Sequence, residues 1–149
     1  MEQYSWLQQV VLQGQMQNIL ETNVYTEKFG LSLTKEDVKL LIQERCNTLK
    51  EQQRIEFGEG ILPKLIFTFC DSLYIEQRNY LETIIRLQEI FYLYKNESMD
   101  GLTDDELLEV MKNAFDGECE GALEYLEDTI LENLARSIRR GEDDFKENY

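Results

Sequence analysis

The most apolar part of the chain lies at its centre and predicts two consecutive buried helices. In residues 61–70, ILPKLIFTFC, only Lys64 and Thr68 interrupt the apolar positions, and their spacing puts them on one narrow side of a helix. Pro63 fits the first turn of a helix but not its interior, so this helix should begin near residue 59 or 60. A buried strand is the alternative, but Pro63 and the lack of a second strand-like segment disfavour it.

The segment that follows, residues 74–94, predicts a longer amphipathic helix. Its apolar residues recur at helical spacing, while Arg78, Glu82, Arg86 and Glu89 fall on the opposite side. A helix of about 20 residues is roughly 30 Å long, the width of a small domain. The other segments are therefore expected to wrap a central pair of helices.

The N-terminal segment, residues 4–20, also predicts a helix, but one without charge. It places Trp6, Leu7, Val10 and Val11 on one helical face, and the segment also contains five glutamines. The glutamines form either an uncharged outer face or a homotypic interface between copies of the chain.

Three more helices are indicated by caps and spacing. Capping boxes begin two of them, Thr34 with Asp37 and Thr103 with Glu106. The first should bury Val38, Leu41, Ile42, Cys46 and Leu49. The second should bury Leu107, Leu108, Met111, Ala114 and Phe115. The last helix, from about Cys119 to Arg140, should bury Leu123, Leu126, Ile130, Leu134 and Ile138.

Few residues break these helices, since the chain has one proline and eight glycines. We therefore predict an all-α fold, a single-domain helical bundle of about five to six helices around a central buried helix pair. The domain should span residues 1–149, with residues 142–149 as a frayed tail. No apolar run approaches the roughly 20 residues of a membrane span, and the acidic start is not a signal peptide, so we expect a cytoplasmic protein.

Residue usage restricts the chemistry. Histidine is absent, which removes histidine-containing triads and histidine-ligated metal sites. The three cysteines, Cys46, Cys70 and Cys119, are widely spaced and fit free thiols in a reducing compartment. None has the paired spacing of a metal site, and none is expected to act as a nucleophile.

The net charge of −15 is concentrated toward the C-terminus. Residues 1–99 hold 14 acids against 10 bases, whereas residues 100–149 hold 16 acids against 5 bases. Such a chain repels nucleic-acid phosphate and anionic lipid, so neither nucleic acid nor a membrane is expected as a partner. The acids form either a solvated surface or a site for cations or a basic protein.

Two acidic patterns overlap in the C-terminal third. Residues 116–127, DGECEGALEYLE, resemble the calcium loop of an EF-hand, with Asp116, Glu118, Glu120, Glu124 and Glu127 at acidic positions and a glycine at the sixth. Glu118 and Glu120 depart from this family, which uses shorter Asp or Asn there. An acidic first helical turn, stabilised by the helix dipole, explains the same residues without calcium.

The second pattern is Asp105-Glu106-x-x-Glu109 followed by Glu124-x-x-Glu127, with carboxylates on two consecutive helices. It resembles the magnesium-binding pattern of all-α nucleoside triphosphate pyrophosphohydrolases, where such acids hold the metal that organises the phosphates. The chain has Asp-Glu where that family has Glu-Glu, and Glu for its final Asp. Helices rich in glutamate also produce this spacing by chance.

A wider resemblance is carried by TEKFGLSLTKEDV, RIEFGEGILPKLIFTFCDSLYI, LQEIFYLYKNES and FDGECEGALEYLE. Over nearly its whole length the sequence resembles a family of small acidic proteins from low-GC Gram-positive bacteria, which has no assigned function. The resemblance implies a bacterial cytoplasmic protein and transfers no catalytic or binding residue.

The leading hypothesis is a non-catalytic interaction module that docks a protein partner or a copy of itself, with its acidic C-terminal helices facing a basic surface. The alternative is a calcium- or magnesium-binding protein or a magnesium-dependent pyrophosphohydrolase-like enzyme. Its candidate ligands are Asp116, Glu118, Glu120, Glu124, Glu127 and Glu109, assisted by Glu106.

Overall fold

Helices account for all regular secondary structure in residues 5–58 and 60–141, the part of the chain that the computed structural model describes. In chain order they are α1 (Trp6–Leu20), α2 (Asn23–Thr26), a 3-10 turn (Glu27–Phe29), α3 (Lys35–Glu51), α4 (Leu62–Phe69), α5 (Gln77–Glu97), α6 (Asp104–Asp116), α7 (Leu123–Tyr125), a π-helical segment (Leu126–Leu131) and α8 (Glu132–Arg139). The last three run without a break and together form the C-terminal helix, residues 123–139. The all-α prediction is confirmed, and the predicted tail, residues 142–149, lies outside the described residues.

The centre of the fold is α5, which packs against α3, α4, α6 and α8. Its apolar stripe is buried at Tyr80, Ile84, Leu87 and Phe91. Helix α4 lies beside it and buries Leu62, Leu65, Ile66 and Phe69. The two central segments therefore form the expected buried pair, although α4 begins at Leu62, with Pro63 in its first turn.

The predicted caps fix where two helices begin. Thr34 Oγ1 accepts a hydrogen bond from the Asp37 N–H at 3.1 Å, and the Asp37 carboxylate accepts one from the Thr34 N–H at 2.9 Å. Thr103 and Glu106 repeat this exchange at 3.1 and 2.8 Å. Local sequence thus determines the start of α3 and of α6.

One position of the predicted α3 face is wrong. Cys46 is exposed, whereas Arg45 is buried, with only 3% of its surface accessible. Helical spacing places position 45 between the buried residues Val38, Leu41 and Leu49, and its charge hid this from the apolar pattern. The guanidinium is neutralised by Glu56 at 3.2 Å, and the same carboxylate accepts a hydrogen bond from the Tyr92 hydroxyl.

The C-terminal helix differs from its prediction in start and in face. It begins at Leu123, not near Cys119, because residues 117–122 form a turn that contains Gly121 at φ +82°. Leu131 is fully buried in place of the predicted Ile130, which is only half-buried. The π-helical segment explains the change, since its hydrogen bonds span five residues and so bring Leu126 and Leu131 to the same side.

Candidate functional site

A groove of about 730 Å³ lies between α6 and the C-terminal helix. We call it the acidic groove. It is lined by Leu102, Glu106, Glu109, Val110, Asn113, Glu118, Ile130, Asn133, Leu134 and Ser137. Its size falls within the range of ligand-binding clefts in proteins.

The two walls of the acidic groove are built in the same way. Helix α6 contributes positions 106, 109, 110 and 113, and the C-terminal helix contributes positions 130, 133, 134 and 137. Each set follows the i, i+3, i+4, i+7 spacing that places side chains on one helical face. Such a face extends over about two turns, or roughly 10 Å.

The apolar part of the lining includes a residue placed there by the π-helical segment. Leu131 takes the core position, which leaves the neighbouring Ile130 half-buried at the groove. Val110 faces it from α6, and Leu134 and Leu102 complete the apolar lining. A π segment inside an α-helix is a frequent feature of functional sites.

The lining of the groove carries negative charge. Glu106, Glu109 and Glu118 belong to it, and among the described residues no lysine or arginine does. The nearest base on α6, Lys112, is held outside the groove by Asp71 at 2.6 Å and Asp116 at 3.0 Å. Partial burial opposes the effect, but these two carboxylates raise the pKa of Lys112 and keep it charged.

Two of the three glutamates have defined positions. The Glu106 carboxylate is held by the Thr103 N–H in the cap of α6. The Glu118 carboxylate accepts a hydrogen bond of 2.8 Å from the Tyr125 hydroxyl, and this bond raises the pKa of Tyr125. Glu109 extends from the exposed side of α6 between them. The groove therefore combines carboxylate acceptors with apolar side chains.

Both walls are anchored to α5. The buried Lys95 donates to the Leu102 carbonyl at 2.8 Å and pairs with Asp104 at 3.0 Å, which ties the end of α5 to the start of α6. The Tyr94 hydroxyl donates to the Glu127 carbonyl at 2.6 Å and ties α5 to the C-terminal helix. The separation of the walls is therefore set by the central helix.

Only some of the site residues predicted from the sequence lie in the acidic groove. Glu109 and Glu118 line the acidic groove together with Glu106. Asp116 instead accepts a hydrogen bond from Ser72 at 2.6 Å in addition to its Lys112 pair, and Glu127 pairs with Arg86 at 2.8 Å.

The remaining predicted acids lie outside the acidic groove. Glu120 is exposed in the turn before the C-terminal helix, at φ +48°, and Glu124 is exposed on α7. Asp105 pairs with Lys64 of α4 at 3.0 Å.

Within residues 5–58 and 60–141, no three Asp, Glu, His or Cys side chains converge as the ligands of a metal ion. Gly121, the glycine of the calcium-like loop, has a packing role, because a Cβ there would lie 2.6 Å from the Cβ of Tyr74. Calcium or magnesium binding by the C-terminal carboxylates stays a prediction.

Sequence reasoning missed the neutral half of the acidic groove. Val110, Asn113, Asn133 and Ser137 carry no charge and no catalytic chemistry, so no motif pointed to them. The available signal was a shared spacing, since both helices present four positions at i, i+3, i+4 and i+7.

Comparison with known proteins gives a family but no function. No helix of the described residues combines the length and apolarity of a membrane span. No curated protein and no solved structure matches the chain. A model of a family of unknown function, DUF6323, matches residues 18–144. The chain therefore belongs to this family, as its resemblance to an uncharacterised family implied.

Proposed function

We propose that the protein is a non-catalytic interaction module that binds a basic, amphipathic helical segment of a partner protein in the acidic groove. The observation that carries this proposal is the lining of the groove, which among the described residues combines three glutamates, no base and apolar side chains on two helix faces. A helix laid in a groove presents its apolar residues at i, i+3, i+4 and i+7 spacing, the spacing of both walls.

The two parts of the groove contribute differently to such binding. Burial of apolar surface against Val110, Ile130 and Leu134 supplies affinity, at about 25 cal/mol per Å² removed from water. The glutamates at the rim attract a basic segment, speed its association and exclude acidic ones. An apolar helix with lysine or arginine on its flanks satisfies both conditions.

The proposal includes a bacterial cytoplasmic location and excludes nucleic acid and anionic membranes as partners. The free cysteines Cys46, Cys70 and Cys119 support a reducing compartment. The net charge of −15 supports a basic protein rather than a polyanion as the partner.

Calorimetric titration with synthetic helical peptides tests the proposal. The probe is a peptide of about 18 residues with leucine on one face and lysine on the other, and the control replaces every lysine with glutamate. We expect the basic peptide to bind with an affinity that falls as salt is added, and the acidic peptide not to bind. Binding of neither peptide would contradict the proposal.

A pair of matched variants locates the binding. Val110→Lys places an ammonium group inside the acidic groove and should weaken binding of the basic peptide by about tenfold or more. Leu40→Lys adds the same charge on the exposed side of α3 and should leave binding nearly unchanged. Equal weakening by both variants would show that the peptide responds only to net charge.

Calorimetric titration with metal ions tests the alternative, which is a cation-binding protein or a magnesium-dependent enzyme. Calcium or magnesium bound by the C-terminal carboxylates would give heat and a melting shift beyond those of a monovalent-salt control. The absence of both responses would reject that alternative and leave the peptide experiment unaffected.

A further inference from the structure

Helix α1 exposes a face of large apolar side chains. Trp6 is 77% exposed and Leu7, Val10 and Val11 are also exposed, while the opposite side of the helix packs on the core through Leu12, Met16, Ile19 and Leu20. A contiguous exposed apolar face on a helix marks an interaction surface more often than a solvated one. The prediction from sequence considered a homotypic interface for the glutamines of this helix, not for its apolar face.

The charge of the molecule favours a second copy as its occupant. Trp6–Leu20 contains no Asp, Glu, Lys or Arg, although the whole chain carries −15. Two copies repel each other over their acidic surfaces, so they can approach closely only where charge is missing. A strongly charged partner, in contrast, finds no complementary charge on this face.

The shape of the face is self-complementary. Trp6, Val10 and Gly14 follow one another at intervals of four residues and so lie on the same side of α1. Trp6 projects from one end, while Gly14 is exposed with no atom within 4 Å of the place of a Cβ. In an antiparallel pair centred on Val10, Trp6 of each copy lies over Gly14 of the other, and the two Val10 side chains meet on the two-fold axis.

A loop with an exposed aromatic side chain contacts α1. Gln15 Nε2 donates to the Gly58 carbonyl at 2.9 Å and brings this loop to α1. Phe57, the preceding residue, is 89% exposed. The helix is about 22 Å long and covers less than the roughly 800 Å² per partner of a standard interface.

We propose that the face of α1 formed by Trp6, Val10 and Gly14 pairs with the same face of a second copy of this chain in an antiparallel, two-fold dimer. The small area gives a dimer that dissociates on dilution rather than an obligate one. This self-association uses a different surface from the acidic groove, so either proposal can fail without the other.

Trp6 provides a direct measurement, because it is the only tryptophan of the chain. Sedimentation velocity of the full chain over about 10 µM to 1 mM should show conversion from one-chain to two-chain mass. Tryptophan emission should shift to shorter wavelength over the same range, as the indole leaves water. A one-chain mass at every concentration would overturn the proposal.

Charge reversal at the two-fold axis tests the register. Val10→Glu and Val10→Lys each place like charges opposite one another and should each give monomers, whereas an equimolar mixture of the two variants should dimerise. Leu40→Glu, an exposed apolar residue of α3, is the matched control and should leave the dimer intact. Failure of the mixture to associate would overturn the antiparallel pairing.

Gly14→Leu separates loss of the interface from loss of folding. The new side chain fills the recess for Trp6 and should abolish the dimer, while the helix is retained because glycine is the poorer helix former. Circular dichroism at low concentration confirms that the monomer is folded. A dimer that persists in both Gly14→Leu and Val10→Glu would show that another surface is used, and would overturn the proposal.

Added salt should act in opposite directions on the two surfaces. It screens the repulsion between two copies and should strengthen the dimer, whereas it should weaken binding of a basic peptide in the acidic groove. A dimer that weakens with salt would contradict contact through an uncharged face.

Discussion

The buried arginine of α3 shows how a single polar residue fixes a loop. Arg45 is neutralised by Glu56, and Glu56 in turn accepts hydrogen bonds from the Tyr92 hydroxyl and from the Ile61 N–H at 3.3 Å. Burial, together with the Glu56 carboxylate, raises the pKa of Tyr92 and keeps it a hydrogen-bond donor. The connection between α3 and α4 is thereby held against the core.

Gly60 is confined by this cluster. It adopts φ +56°, and a Cβ at this position would overlap Glu56 Oε1 and lie 2.9 Å from Arg45 Nη2. Gly60→Ala should therefore lower the free energy of unfolding by about 2 kcal/mol, because it combines a left-handed backbone with displacement of a partly buried ion pair.

Gly58 provides the matched control for this prediction. It has a similar φ of +64° but nothing within 4 Å of a Cβ. Gly58→Ala should cost only the backbone term, about 1 kcal/mol. Urea denaturation of both variants measures the difference, and equal destabilisation would show that Glu56 and Arg45 move aside without cost.

Whether a residue is buried could be predicted from sequence only where the apolar pattern and the surroundings of that residue agree. Helical spacing puts position 45 on the buried side of α3. Burial of a charged residue there can be predicted only when its ion-pair partner is known. Glu56 lies 11 residues away, in a connection whose path no local signal defines. Arg45 was therefore missed and Cys46 was wrongly assigned to the core.

At the scale of the elements, helix starts could be predicted and the π-helical segment could not. The caps of α3 and α6 are local, since each involves residues three apart. Ile130 and Leu131 are adjacent and both apolar, so the sequence does not indicate which of them faces the core. The choice of Leu131 depends on packing against other elements.

Removal of one residue from the π-helical segment tests its role. Deletion of Asp128, which is exposed, leaves a four-residue step between Leu126 and Leu131 and permits a regular α-helix. We expect the variant to fold with a stability within about 1 kcal/mol of the parent chain, and to bind the basic peptide nearly as well, because Leu131 keeps the core position and Ile130 therefore stays at the acidic groove.

A deletion elsewhere serves as the control. Loss of Glu82 from the regular helix α5 rotates every later side chain of the central helix by about 100° and should prevent folding. Circular dichroism and thermal melting distinguish the two deletions. Equal loss of structure would mean that the segment behaves as ordinary α-helix.

At the scale of the whole molecule, the net negative charge opposes folding, which is driven by burial of apolar surface. The chain has 30 acids and 15 bases. In most of the ion pairs of the described residues at least one partner is exposed, and each such pair contributes about 0–1 kcal/mol to stability. We therefore expect the excess of acids to outweigh the attraction of the pairs, so that self-repulsion destabilises the compact state.

Screening should relieve this repulsion. Raising sodium chloride from about 20 mM to about 500 mM should increase the melting temperature by a few degrees, because the Debye length shortens below the spacing of surface charges. Differential scanning calorimetry measures the shift. Close to the isoelectric point of about 4.3 the shift should disappear, and a melting temperature that falls with salt at neutral pH would show that the ion pairs dominate.

Two features at this scale had no clear counterpart in the sequence. Helix α1 is apolar on two sides, with Leu12 and Ile19 toward the core and Trp6 and Val10 outward, so spacing did not show which side is covered. The acidic groove lies between two helices whose positions depend on their contacts with α5. Both depend on how elements meet, which periodicity does not record.

The attachment of both walls to α5 has a consequence for recognition. The width of the acidic groove is fixed by Lys95 on one side and by Tyr94 on the other, so the groove is already formed before a ligand binds. The loss of conformational freedom then falls on the incoming segment alone. Among partner segments of equal composition, the one that is already helical when free should dissociate most slowly from the groove.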